Sequence, residues 1–324
     1  MNRKTVIVTG GYGFIGSRFV KTLIEETTYN VVIVDKNTYA ADKSRVTSWF
    51  DIKKHAGRLT HYIADIADPH LVEKTGDAFK QAAYVVNFAG ETHVDNSIEN
   101  GKPFIDSNYN GVFNLLEICR SSKKLIKFIQ ISTDEVYGDM TELRGLQSAD
   151  EGFKLKPSSY YSATKAGADM LVEACARTYG FNYLITRTCN NFGPGQHPEK
   201  YLPKIMECIG QDVEVPVYGD GSQVREWIHT DDNAKIIEAL MSSESAVNQV
   251  YNIGSGMHHT NKEVLEIVGR LMEKNVKFKE VPDRLGHDRR YSLDCKKLDR
   301  FYGSWTPTCF EGFLKDEVRE LLTR

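Results

Sequence analysis

The chain has 324 residues, 41% hydrophobic and 26% charged, which is enough apolar material for one large domain or two closely joined ones. A formal net charge of -3 gives no general attraction to DNA, RNA or anionic lipid. Neither nucleic acid nor a membrane is an expected partner, although a local basic cluster remains compatible with a small phosphorylated ligand.

The N-terminal stretch "MNRKTVIVTG" has an apolar run too short for a signal peptide, and no later run approaches membrane-spanning length. The six cysteines are scattered, without a CxxC pair or a histidine at metal-ligand spacing. Reduced thiols, no metal and a cytoplasmic location are therefore expected.

In chain order, the short apolar runs "TVIVTG", "NVVIVD", "LTHYIAD", "YVVNFAG", "IKFIQIST" and "NYLITRT" alternate with segments long enough for helices. Strands that are apolar almost throughout suit a parallel sheet covered on both faces, so the fold class is α/β with a doubly wound parallel sheet. From about residue 188 glycine and proline cluster in "NNFGPGQHP", "VPVYGDGSQ" and "DRLGHDRR". The expected division is a dinucleotide-binding Rossmann domain over 1–187 and a smaller C-terminal substrate-binding lid domain over 188–324, with part of 226–255 returning to the first.

Directly after the first strand, "TGGYGFIGS" places Gly10, Gly13 and Gly16 at intervals of three, ahead of a helical stretch from Phe14 to Glu26. Glycines there permit a tight turn, close approach of backbone N–H groups to a pyrophosphate, and tight packing of helix on sheet. A bare triplet also suits an ordinary turn, but here an acid, Asp35, follows about 20 residues on, at the end of the second strand. A carboxylate there accepts from both hydroxyls of an adenosine ribose and repels a 2′-phosphate, which favours NAD over NADP. Asp65 ends the third strand where adenine would lie, and a helix N-cap explains it nearly as well.

Further along, "PSSYYSATKAG" puts Tyr161 and Lys165 one helical turn apart. With 16 tyrosines such a pair arises by chance, and Tyr39/Lys43 is a second match. Tyr39 lies on the ribose side, whereas Tyr161 opens a helix after the fifth strand, where it can meet a nicotinamide. A nearby ammonium is expected to lower the Tyr161 pKa, making the phenol a usable base. The stretch "FIQISTDEVYGD" then sets Asp134 beside Glu135 at the end of a buried strand. Adjacent acids repel, and a plain turn needs only one aspartate.

These residues resemble the extended short-chain dehydrogenases, and within them the nucleoside-diphosphate-glucose 4,6-dehydratases. The motifs "TGGYGFIGS", "VDKNTYA", "FAGETHVDNSI", "STDEVYG", "PSSYYSATK", "NNFGPGQHPEK", "YGDGSQVREW", "YNIGSG" and "DRLGHDRRY" occur in family order over nearly the whole chain. Thr-Asp-Glu is the dTDP-glucose dehydratase pattern, whereas related epimerases lack the acid pair and decarboxylases carry Thr-Ser-Glu. The sequence departs from the family at Tyr12, Gly90, Tyr160, Phe192, Gly195 and His197, and at no catalytic position.

The resemblance implies that Tyr161, with Thr133 and Lys165, acts at the sugar 4-hydroxyl, that Glu135 removes the C5 proton, and that Asp134 protonates the departing 6-hydroxyl. It adds Phe14, Ile15, Lys36, Thr38, Ile66 and Ala89 to the NAD site. It assigns Asn190, Lys200, Tyr201, Pro216, Tyr218, Arg225, Asn261, Arg284 and His287 to a nucleoside-diphosphate glucose, with dTDP or UDP as the nucleotide. A homodimer is also implied, through helices in "NGVFNLLEICR" and "GADMLVEACAR", which carry apolar residues on more than one face. The competing assignments are an epimerase or decarboxylase of the same family, which Asp134 disfavours, and a non-catalytic NAD-binding protein, which would lack the Tyr/Lys pair or the acids.

Overall fold

In a computed structural model, which describes residues 3–48, 57–141 and 148–323, seven parallel strands form the central sheet. Their order is β10-β6-β5-β4-β1-β2-β3. All six runs expected as strands are present: β1 (Thr5–Thr9), β2 (Asn30–Asp35), β3 (Leu59–Ile63), β4 (Ala82–Asn87), β5 (Lys127–Thr133) and β6 (Tyr183–Thr188). The seventh, β10 (Gln249–Ile253), returns from far along the chain to pair with β6.

The near-continuous apolar runs follow from burial on both faces. In β1, Val6 and Val8 join one core with Phe19, Val20 and Leu23 of helix α1 (Phe14–Glu26). Ile7, between them, joins a second core with Val112, Leu115 and Leu116 of helix α2 (Gly111–Cys119). All seven residues of β5 are buried. β3 is one of the two edge strands of the sheet, and its last residue, Ile63, is 50% exposed.

Helix α3 (Tyr160–Tyr179) begins with a reciprocal capping box. Ser162 N donates to Ser159 Oγ at 3.1 Å, and Ser159 N to Ser162 Oγ at 3.1 Å. It stops at Gly180, whose left-handed backbone (φ 73°) ends the helix without a side-chain clash.

Two small sheets lie outside the main one. β7 (Asn190–Phe192), β9 (Val224–His229) and β11 (His258–Thr260) form one, in the order β11-β9-β7, and β8 (Val215–Tyr218) pairs with β12 (Phe278–Val281). Phe192, Trp227, Phe310 and Leu314 belong to a third core there. Among the described residues no helix is long and apolar enough to cross a membrane.

Strand order reverses between β1 and β4, which carry their chains to opposite sides. Connections leaving the C-terminal ends of such strands diverge and open a crevice, the place where doubly wound sheets hold ligands.

Candidate active site

The glycine loop lies at the mouth of that crevice. Gly10 has φ 67°, and a Cβ on it would stand 2.7 Å from Ala89 N, so the β1 and β4 loops approach too closely for a side chain. At Gly16 a Cβ would meet Gly10 O at 2.3 Å. Gly13 is the N-cap of α1 and has no capping side chain, so the first N–H groups of the helix face the crevice for an anion.

Asp35 is buried at the end of β2. Its carboxylate accepts from Tyr12 N at 3.0 Å and Asn37 N at 2.7 Å, which fixes its orientation and leaves lone pairs for a ribose. Lys36, Thr38, Asp65, Ile66 and Ala89 line the same cavity. Asp65 Oδ1 accepts from Ala67 N at 2.9 Å, a local turn, so the acid serves the backbone as well as the cavity. Lys36 Nζ is held by Glu91 at 3.3 Å, with Asp65 at 3.9 Å. Two carboxylates already answer Lys36, a cation that a 2′-phosphate would otherwise seek. Phe14 and Ile15 are the first residues of α1 and are half-buried. A dinucleotide fits this cradle.

Beyond the end of β5 a short 3₁₀ turn, Asp134–Tyr137, carries the acid pair. Its cap is Thr133, whose Oγ1 accepts from Glu135 N at 3.3 Å, so neither acid is used to cap the turn. Thr133 Oγ1 also donates to Asp134 Oδ1 at 3.1 Å, while Asp134 Oδ2 is buried without a partner.

Burial, then Glu135 and Glu226, hold the Asp134 carboxyl well above its usual range. Glu135 is also raised by burial, against Arg225, Arg284 and Lys200, which favour its charge. The two acids thus differ in surroundings: three cations outweigh one carboxylate, Asp288, around Glu135, whereas two other carboxylates press on Asp134 and Arg225 opposes them only weakly.

Tyr161 is buried at the start of α3 beside these acids. Its pKa is raised rather than lowered, by burial and by Glu135, and a hydrogen bond with Thr133 opposes the rise. The expected effect of Lys165 is absent because that ammonium, one turn further along, donates to the carbonyl of Ile131 in β5. Burial lowers the Lys165 pKa to about 8, and Asp169 opposes this.

The profile of the NAD dependent epimerase/dehydratase family matches residues 6–254. The chain belongs to this family. Its relatives include the low-salt glycan biosynthesis protein Agl12 of Haloferax volcanii, 43% identical over 96% of this chain and 99% of the relative. The dTDP-glucose 4,6-dehydratase of Mycobacterium tuberculosis is 39% identical over 97% of this chain and 92% of its own. DesIV of Streptomyces venezuelae, a dTDP-glucose 4,6-dehydratase solved with NAD bound, superposes with a TM-score of 0.90 at 35% identity, covering 99% of this chain and 97% of that one.

Of the residues that the resemblance led us to expect at the substrate, Lys200, Arg225 and Arg284 lie close enough to Glu135 to favour its charge. Arg225 is buried, donates to Asp288 O at 2.8 Å and lies over the Tyr291 ring at 4.4 Å. Arg284 Nη1 donates to Asp95 Oδ1 at 3.3 Å, and its Nε is buried without a partner. Tyr218 donates to Asp95 Oδ2 at 3.2 Å, and its ring meets His287, whose Nδ1 is 2.6 Å from Asp283.

Pro216 shares the exposed face of β8 with Tyr218. Asn190, half-buried, opens β7. Tyr201 and Asn261 turn to each other and to the scaffold: the Tyr201 phenol donates to Asn261 O at 2.6 Å, and Asn261 Nδ2 to Gln223 at 3.3 Å.

Asp95, Glu226 and Asp288 were not singled out in the sequence. All three fall inside motifs quoted above, but no spacing rule marks an acid whose partner is distant in the chain. Glu226 is 1% exposed and accepts from Gly256 N at 2.7 Å and Leu293 N at 3.3 Å.

Proposed function

We propose that the protein is an NAD-dependent sugar-nucleotide 4,6-dehydratase that converts dTDP-glucose to dTDP-4-keto-6-deoxyglucose and water. The observation that carries this is the buried Asp134 with its unpartnered Oδ2 beside Glu135, an acid whose neutral form burial favours next to one whose charge cations favour. The family includes epimerases, which have no elimination to perform and no use for the pair.

Bound NAD supplies the hydride acceptor at C4 and the hydride donor at C6, and the charge of its oxidised ring favours tyrosinate. Gly10, Gly13 and Gly16 hold its pyrophosphate, and Asp35 its ribose. Tyr161 takes the 4-hydroxyl proton. The 4-ketone makes the C5 proton acidic, Glu135 removes it, and Asp134 protonates the 6-hydroxyl, which leaves as water. Glu135 then returns its proton to C5.

Tyr161 ends with one proton more and Asp134 with one fewer. The Thr133 hydroxyl, bonded to Asp134 Oδ1 at 3.1 Å and to Tyr161, joins the two, so a single transfer resets the site. Lys200, Arg225 and Arg284, with Tyr218 and His287, hold the nucleoside diphosphate as a lid over the crevice. Exposed Phe113 on α2 (52%) and Met170 on α3 (58%) support a homodimer through these helices.

The test is a side-by-side assay of dTDP-glucose and UDP-glucose with no added reductant. Asp134→Asn is expected to lose dehydration, typically 10²–10⁴-fold for a removed acid, yet to accumulate NADH when substrate is added. Stoichiometric NADH release during wild-type turnover would return Tyr161 and Lys165 to simple alcohol oxidation.

A further inference from the structure

The second Tyr/Lys match, Tyr39 with Lys43, has no part in the proposed chemistry, and the fold sends its members apart. Lys43 Nζ lies 5.9 Å from the centroid of the Tyr12 ring. Tyr39 meets a segment about 160 positions further on: its ring packs edge-on against His197, 5.4 Å between centroids, and its hydroxyl donates to Glu199 Oε1 at 3.4 Å.

Residues 197–200 form a turn of their own. Lys200 N donates to His197 O at 2.9 Å, Glu199 N donates to His197 Nδ1 at 3.4 Å, and the helix Tyr201–Gly210 follows directly. Ahead of the turn stands Gly195, whose φ of 78° lies in the left-handed region and suits a hinge. On its other side the turn reaches Thr92, where Lys200 Nζ donates to the carbonyl and to the hydroxyl at 3.4 Å each.

Tyr39 and Thr92 stand on opposite rims of the cavity that Gly10, Gly13 and Asp35 line. Thr38 and Ala40, the neighbours of Tyr39, line it from the loop after β2, and Glu91, the neighbour of Thr92, lines it from the loop after β4. The turn therefore ties one rim to the other.

We propose that residues 197–200 are a strap that gates the exchange of NAD, latched by Tyr39 on His197 and Glu199. The latch is made by protein groups alone, so it closes equally over a loaded and an unloaded cavity. Breaking it changes how fast the cofactor passes and not how tightly it is held. Slow passage serves an enzyme that uses the same NAD twice, because NADH lost between the two hydride transfers strands the ketone. That benefit rests on the dehydratase assignment, whereas the gate itself does not.

The experiment loads the full chain with NADH, chases it with excess NAD and follows NADH fluorescence by stopped flow. Entry is timed by mixing NADH with protein stripped of cofactor, and a titration gives Kd. Tyr39 is 57% exposed, so its removal leaves the core intact, and the melting temperature checks this. In Tyr39→Ala and in His197→Ala, exit and entry are expected to quicken together, about three- to tenfold, the range of one aromatic contact. Kd is expected to stay within about twofold of the wild type. The double variant Tyr39→Ala/His197→Ala is expected to be no faster than the faster single one, because the two rings form one contact. Tyr39→Phe, which keeps the ring and drops only a long hydrogen bond, is expected to fall between wild type and Tyr39→Ala.

Exit rates unchanged in both alanine variants would overturn the proposal. Faster exit with unchanged entry, and hence a higher Kd, would overturn it as well, since Tyr39 would then hold the cofactor directly. If no sugar nucleotide is converted by the wild type, the dehydratase assignment fails, while the exchange rates still decide the gate.

Discussion

On the proposed function, the two ends of the crevice hold phosphate by opposite means. At the cofactor end the backbone faces the crevice: a glycine turn, the start of α1 and one buried acid, with Lys36 already tied to Glu91. At the substrate end side chains do the holding, and they wait in pairs, Arg284 with Asp95 and His287 with Asp283. A backbone N–H carries no full charge and costs little to leave facing water. A guanidinium has to be aimed, and a carboxylate partner aims it until phosphate competes for the same donors.

The comparison breaks most visibly at Gly16. A Cβ there sits 2.3 Å from Gly10 O, so Gly16→Val has no room without moving the loop that meets the pyrophosphate. NAD affinity is expected to fall about a hundredfold or more, near 3 kcal/mol, and calorimetric titration of cofactor into the purified protein measures it.

Arg284→Gln sharpens the other end. Its effect is expected to be about tenfold, mostly in KM for the sugar nucleotide, because one charge-assisted contact is lost while Arg225 and Lys200 remain. Cofactor affinity should not change. If NAD binding weakens as much as substrate binding, the two ends are not independent.

The smallest effect lies in stability. Asp134 is raised in the folded protein, so between the unfolded carboxyl pKa, about 4, and the folded one the unfolded chain releases a proton that the folded chain keeps. Wild-type stability therefore declines as pH rises through that window, and it carries no such penalty below it. Asp134→Asn removes the penalty. Its melting temperature should exceed that of the wild type by a few degrees at neutral pH, an advantage that shrinks on acidification; a constant difference from acid to neutral pH would mean that the proton is not the cause.

The six strands, the glycine cradle, Asp35 and the start of α3 were legible in the chain because each rests on neighbours a few residues apart. Continuous apolar runs mean two buried faces, and a glycine ahead of a helix means a bare turn. The acid pair was visible as an anomaly, and its chemistry came from resemblance rather than spacing. The Tyr161 expectation failed for a physical reason: proximity along a helix gave Lys165 a place but not a direction, and the carbonyl of Ile131 took the ammonium.

Tertiary structure alone decided the rest. The returning β10, the Asp169–Arg187–Tyr137–Asn252 chain, and the pressure of Glu226 on Asp134 join residues separated by tens to more than a hundred positions. Burial raises Asp134, Asp169 and Tyr137, and burial belongs to the folded whole. Local spacing thus determined where this protein places a bare glycine turn ahead of a helix, whereas long-range packing determined which of its acids is pushed furthest towards the neutral form, because the environment that favours that form exists only once distant strands have met.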